Sequence, residues 1–427
     1  MDEQPLPLAS YRVIDYSHFL AGPYLSRCLA AMGAEVIKVE RPTAGDPGRA
    51  HPYFKEGQSG YFLQQNMGKQ GLCVNMKDPR GTELLRKLVD TADVFVENYR
   101  PGTLAKLGLG NPQLAQQNPR LVYCSVSAYG HTGPDSNRPG FGLIAEAKSG
   151  AMAQIGTPGE APPLFRMPVA DMYAGIHGVA AVCAALLGRA KSGKGQHIDL
   201  ALYDCMVSIH DYAVQCYTLS DGKEVPVQTG HDQPDTAVYG VFTARDGYLV
   251  IAAQVDDAWL RLARLIGGEA LSADTRFHNA AARNAHREAA LALARAWTLA
   301  QPSRKACLDA LDAAGVPSAP VQRIDEVLAD PQILQRGMVV EQEHPVLGRI
   351  RMPNLPFRFS GCDTSPRSPA PLMGQHNRDI ATMLGYSGSE IDAMVRDGIL
   401  YAEDAVGRLA GSAASGRRND GSANESE

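Results

Sequence analysis

Arg12-Val13-Ile14-Asp15-Tyr16-Ser17-His18-Phe19-Leu20-Ala21-Gly22-Pro23, read through to Gly33-Ala34-Glu35-Val36-Ile37-Lys38-Val39-Glu40, is the stretch that decides the fold. Arg12 to Tyr16 predicts a buried strand. Pro23 to Met32 carries small and apolar residues at helical spacing, and Gly33 follows as its C-cap. Glu35 to Glu40 then predicts a second strand. A strand, a helix and a second strand in so short a span imply a parallel pair joined by a right-handed crossover.

Outward from this unit the cycle repeats. Strands are expected at Leu72 to Asn75, Val94 to Glu97 and Leu121 to Val126, with a helix over Pro79 to Asp90. The expectation is an α/β fold with a Rossmann-like, mostly parallel sheet covered on both faces. Ligands on such sheets bind beyond the carboxyl ends of the strands. The first of those loops, Ser17 to Pro23, has one glycine where a dinucleotide fingerprint needs three, so nicotinamide binding loses its main support.

Past the sheet the rhythm changes. The breakers Gly222, Pro226, Gly230 and Pro234 suggest a linker, and Tyr239 to Ala252 predicts a hairpin turning at Asp246-Gly247. Helical patterns follow at Trp259 to Ile266, Asn279 to Ala300 and Pro302 to Ala314. The chain is therefore divided into a large domain (1–205), a linker (206–235), a small α+β domain (236–325), a return that completes the large domain (326–404) and a disordered tail (405–427). The tail has too little apolar content to order itself.

Composition narrows the function. The 427 residues suffice for two domains, and no run approaches the roughly 20 uninterrupted apolar residues of a membrane span. The start, Met1-Asp2-Glu3-Gln4-Pro5-Leu6-Pro7, lacks a secretory pattern, which makes a soluble cytoplasmic protein the expectation. A net charge of −5 argues against nucleic acid as a partner. The eight cysteines are scattered singly, without metal-ligand spacing, so no metal site is expected and buried free thiols are.

One residue carries a chemical signal. In Phe165-Arg166-Met167-Pro168-Val169-Ala170-Asp171-Met172-Tyr173-Ala174-Gly175, a carboxylate stands between an extended segment and a small-residue helix. Such an Asp is commonly an N-cap, accepting free N–H groups of the first turn. It is also placed to act as a nucleophile. The two roles are compatible, since the positive helix end would favour the ionised form.

The Asp171 segment and Gly188 to Asp204, a Gly-rich turn leading into a short strand, resemble the class III CoA-transferase family, which includes formyl-CoA transferase, carnitine CoA-transferase and the α-methylacyl-CoA racemases. Matching segments run in the same order along the chain, among them Gly22-Pro23, Glu97-Asn98-Tyr99-Arg100-Pro101-Gly102, Gly195-Gln196-His197-Ile198-Asp199 and Leu372-Met373-Gly374-Gln375-His376. The resemblance implies CoA transfer from an acyl-CoA donor such as succinyl-CoA to a free carboxylic acid. Asp171 would carry a covalent aspartyl thioester. No permanently bound cofactor is implied, only coenzyme A thioesters as substrates. For CoA contacts it points to His18, Phe19, Leu20, Arg41, Val74, Asn75, Lys77, Asn98, Tyr99, Arg100, Lys106 and Phe141. It also implies an interlocked, ring-like homodimer.

Two departures bear on the substrate. Leu20 and Phe141 stand where formyl-CoA transferase has a glutamine and a tyrosine, which suggests an acid other than oxalate or formate. Gln228 to Pro234, with His231, replaces that enzyme's glycine-rich segment. The alternative activities are a 2-methylacyl-CoA racemase or epimerase, using Asp171 with His131 or His177 as acid and base, and an intramolecular CoA-transferring isomerase.

Overall fold

The structure is a computed structural model that describes residues 4–403. Its central sheet has six strands: β1 (Arg12–Tyr16), β2 (Glu35–Glu40), β3 (Gln70–Cys73), β4 (Val94–Glu97), β5 (Val122–Ser127) and β6 (His197–Ala201). They lie in the order β3-β2-β1-β4-β5-β6, with every neighbouring pair parallel. This is the doubly wound order, and the chain reverses its direction of travel across the sheet between β1 and β4. At such a switch point the connections leave in opposite directions and a crevice opens at the carboxyl ends.

Each element follows from its residues. Helix α1 (Ala21–Ala31) is buried along its whole length, consistent with its small and apolar composition. Helix α2 (Pro79–Asp90) starts as predicted, with Asp78 accepting the Arg80 N–H and proline at the first position. Its Leu84, Leu85, Leu88 and Val89 pack on Ile14, Ile37, Leu72 and Phe95 of the sheet. Helix α3 (Val169–Ser192) lies against α1, and glycine permits the contact: a Cβ on Gly178 would meet Leu25 Cδ1 at 2.2 Å. By length and composition α3 is apolar enough to cross a membrane. Its Ala174, Gly175, Gly178 and Val182 are buried within the fold.

The C-terminal segment closes the free edge at β3. His376 donates its backbone N–H to the Gly71 carbonyl and accepts the Gly71 N–H on Nδ1, at 2.9 and 3.0 Å. Asn377 Oδ1 accepts the Cys73 N–H at 2.8 Å, and Val74 bridges to Leu400 in antiparallel sense. The helices Asn377–Met383 and Gly388–Arg396 contribute Ile380, Ile391 and Met394 to the same core as α2.

The chain forms two compact units: 1–146 with 168–208 and 335 onward, and 147–167 with 209–334. This differs from the sequence division, which left 147–167 in the large domain and ended the small one at 325. The expected linker contains a helix, Ala213–Leu219. In the second unit the hairpin Tyr239–Ala244 and Gly247–Ala252 gains a third antiparallel strand, Ser318–Pro320, over a core centred on Trp259 and Phe277. The long alanine-rich helix is broken at His286 into Ala280–Ala285 and Arg287–Ala300. All eight cysteines are free thiols. The predicted disordered tail lies outside the described residues.

Candidate active site

The loops that leave β1, β2, β4 and β5 line one cavity of about 410 Å³, and Asp171 stands in its wall. The β1 loop is held from beneath. Asn98 grips His18 twice, accepting its N–H at 2.8 Å and donating to its carbonyl at 2.7 Å. Asp15 accepts the Ser17 N–H and its hydroxyl, and Asp46 accepts the Phe19 N–H at 3.0 Å. These bonds secure Phe19 with a backbone φ of +62°, a conformation rare outside glycine.

Below the loop lies a group of buried charges. Lys38, with no exposure, donates to the Ser17 carbonyl at 2.6 Å and pairs with Asp46 at 2.8 Å. Lys69 pairs with Asp15 at 2.8 Å and donates to Pro23 O and Asn66 Oδ1. Burial would raise Asp15, yet the two lysines hold its carboxyl well below the usual range. Burial pulls Lys69 down to about 8 against the attraction of Asp15. His18 is lowered chiefly by burial, partly opposed by Asp46, so its imidazole is neutral at pH 7.

Asp171 departs from expectation. The helix begins at Val169 with Pro168 at the cap, which makes Asp171 the third helical residue and not an N-cap. Its carboxyl is not held in the ionised form; burial first, and the negative charge of Glu146 second, push it up to about 6. Glu146 accepts the Ala170 N–H at 3.2 Å and so occupies the positive helix end that was expected to favour Asp171. Gly142 makes room, since a Cβ there would stand 2.0 Å from Asp171 Oδ2. Tyr61 feels the Asp171 charge: its phenol is raised by burial and then by Asp171. Among the described residues, no hydrogen-bond donor is engaged with the Asp171 carboxylate, which leaves it available to attack.

The sequence profile of CoA-transferase family III matches residues 8–377. The chain belongs to CoA-transferase family III. Its relatives include succinyl-CoA:glutarate CoA-transferase of Mus musculus, 34% identical over 92% of this chain and 90% of that protein. Succinyl-CoA–D-citramalate CoA-transferase of Chloroflexus aurantiacus is 34% identical over 91% and 96%. Among solved structures, a CAIB/BAIF family protein from Brucella suis superposes with a TM-score of 0.80 at 35% identity, covering 89% of this chain and 100% of that one. The chain is thus an enzyme, a family III CoA-transferase.

Against this family background the expected residues divide. His18, Phe19, Arg41, Asn98, Tyr99, Arg100, Phe141 and Asp171 share the one cavity. Phe141, 67% exposed, sets its ring edge-on to Phe19 at 6.3 Å between centroids. Asn75, Lys77 and Lys106 lie off its lining. Leu20 and Val74 have core side chains, Leu20 against Tyr24, Cys28 and Leu355, Val74 under the C-terminal segment. The first sits at a helix start that must turn inward, the second at a strand end covered on both faces, so each offers a ligand only its backbone. Arg41, Lys77, Arg100 and Lys106 are exposed, and among the described residues none forms an ion pair.

Neither His131 nor His177 lines this cavity. His131 lies in a neighbouring one with His197 and Glu97, and His177 Nδ1 bonds the Tyr173 carbonyl. His231 belongs to the second unit. Sequence reading missed Glu146, Gly142, Tyr61 and Asp46. Glu146 alone left a trace: it stands four residues after Gly142, one helical turn along the same face.

Proposed function

We propose that this family III enzyme moves CoA from an acyl-CoA donor, succinyl-CoA or similar, to a free carboxylic acid through a covalent thioester on Asp171. The observation that carries the reading is the unengaged Asp171 carboxyl in a cavity framed by strand-end loops at the switch point. Succinyl-CoA as donor and a dicarboxylic acid as acceptor follow the activities for which the mouse and Chloroflexus relatives are named. The exposed cations Arg41, Lys77, Arg100 and Lys106 supply charge for CoA phosphates.

The steps balance without a net proton. Asp171 attacks the thioester carbonyl, expelling CoA thiolate and leaving a mixed anhydride. The thiolate attacks the aspartyl carbonyl, releasing the donor acid and forming the aspartyl thioester. The acceptor carboxylate attacks that thioester, giving a new anhydride and free thiolate. Attack of the thiolate on the acceptor carbonyl yields the product thioester and restores Asp171. The anhydride must be kept from water for the thioester energy to be conserved. A cytoplasmic homodimer is the setting we assign.

Intact-protein mass spectrometry after mixing with succinyl-CoA tests this. A CoA adduct on the native chain, absent from Asp171→Asn, together with new acyl-CoA from a panel of free acids, is expected. Full exchange by Asp171→Asn would refute the mechanism. Asp171-dependent loss of α-deuterium from a 2-methylacyl-CoA, without exchange, would establish the racemase instead.

A further inference from the structure

Helix Gly142–Lys148 meets the first turn of α3 at two points one turn apart. Gly142 abuts the Asp171 carboxylate, with no space for even a methyl group. Glu146 reaches the first turn of α3 and takes the N–H of Ala170, the residue immediately before Asp171. Glu146 is 3% exposed, so its charge acts through protein with little screening by water. Two carboxylates thus compete for one helix N-terminus, and Glu146 has the hydrogen bond.

We propose that Glu146 is the positioning residue for Asp171: by holding the Ala170 N–H it orients the first turn of α3, and its buried carboxylate sets the reactivity of the Asp171 carboxylate on that turn. The inference rests on the reading of Asp171 as nucleophile.

The physical logic is a trade. A carboxylate stabilised by backbone N–H groups is a poor nucleophile, because its charge is already satisfied. Giving the N–H to a neighbour and setting a like charge nearby raises the energy of the ionised form. Attack on the thioester carbonyl then relieves part of that repulsion, since the Asp171 charge moves onto the departing thiolate. The titratable groups that interact with Asp171 are Glu146 from helix Gly142–Lys148 and Tyr61 from helix Gly60–Asn66. Burial and the Asp171 and Asp46 charges keep the Tyr61 phenol protonated, so it adds no charge to the site. Glu146 is the group left to set the repulsion.

The test is the pH dependence of the first half-reaction, CoA adduct formation from succinyl-CoA under single turnover. In the native enzyme the rate should fall on the acid side with a midpoint near 6, the value to which Asp171 is raised. A midpoint at the ordinary carboxylate value of 3.8 would overturn the proposal without any variant. Glu146→Gln keeps an oxygen for the Ala170 N–H and removes the charge; its midpoint should move down by roughly one pH unit. Glu146→Ala also removes the acceptor, so its plateau rate should fall about tenfold or more below that of Glu146→Gln. An unmoved midpoint in a folded Glu146→Gln, or equal plateaus for the two variants, counts against the idea. Adduct formation by Asp171→Asn would sink the nucleophile itself. Loss of the adduct in Asp171→Asn with an unmoved Glu146→Gln midpoint would sink only the role of Glu146.

Discussion

Asp171 is a residue whose proposed role as nucleophile opposes stability. Its carboxyl is raised from 3.8 to about 6, so the native state holds this proton more tightly than the unfolded chain does. Between those values stability falls as pH rises, and above 6 the whole penalty is present. Replacing Asp171 with Asn should therefore stabilise the enzyme by on the order of 2 kcal/mol at pH 8, a gain that fades as pH falls toward 4. Urea unfolding at the two pH values measures it. Gly142 is the complementary case. Gly142→Ala should cut exchange activity by about a hundredfold or more while moving unfolding by no more than about 1 kcal/mol, because the added methyl displaces one carboxylate and not the core. Thermal melts beside exchange assays separate the two effects. The helix over Asp171 was legible in the sequence, but its starting residue and the acidity of its carboxyl were not. The acidity depends first on burial and then on Glu146, whose contact with Ala170 spans 24 positions in the chain.

Among the elements, the loop after β1 is the most heavily restrained part of the cavity. Its Ser17 carbonyl and Phe19 N–H both end on the buried Lys38–Asp46 pair. Lys38→Met should cost about 3–5 kcal/mol, since it leaves the Asp46 charge without its cation in the interior, while Asp15 keeps Lys69. It should also raise KM for the acyl-CoA more than it lowers kcat, as the loop loses its hold on the cavity wall. Unfolding curves and steady-state kinetics at the same temperature check both parts. β2 was read correctly as a strand, but the purpose of Lys38 within it was hidden. A lysine in a strand ordinarily suggests an exposed edge; this one is interior because Asp15 and Asp46 arrive from two other segments to pair with it.

For the molecule as a whole, parallel pairing leaves the β3 edge dependent on chain from more than three hundred residues away. Asn377 serves that join, accepting from Cys73 and donating to the Tyr401 carbonyl. Asn377→Ala should destabilise by about 2–3 kcal/mol, because buried backbone groups on both sides lose their partners. Hydrogen exchange at Cys73 and its neighbours should accelerate with it. Assembly belongs to this scale too: a homodimer predicts a solution mass of twice 45.7 kDa by light scattering, and a mass of one chain would remove the interlocked arrangement.

What the sequence by itself determined was the order of strands and helices, the doubly wound class and the family. These are local: side-chain periodicity, turn chemistry and short motifs are written in neighbouring residues. What only the tertiary structure decided was which loops share the cavity, that Leu20 and Val74 are core, that 147–167 packs with the second unit, and that Glu146 takes the helix N-terminus from Asp171. Those depend on burial and on contacts between residues far apart in the chain. A charge acquires its energy from what surrounds it, and one sequence does not state those surroundings.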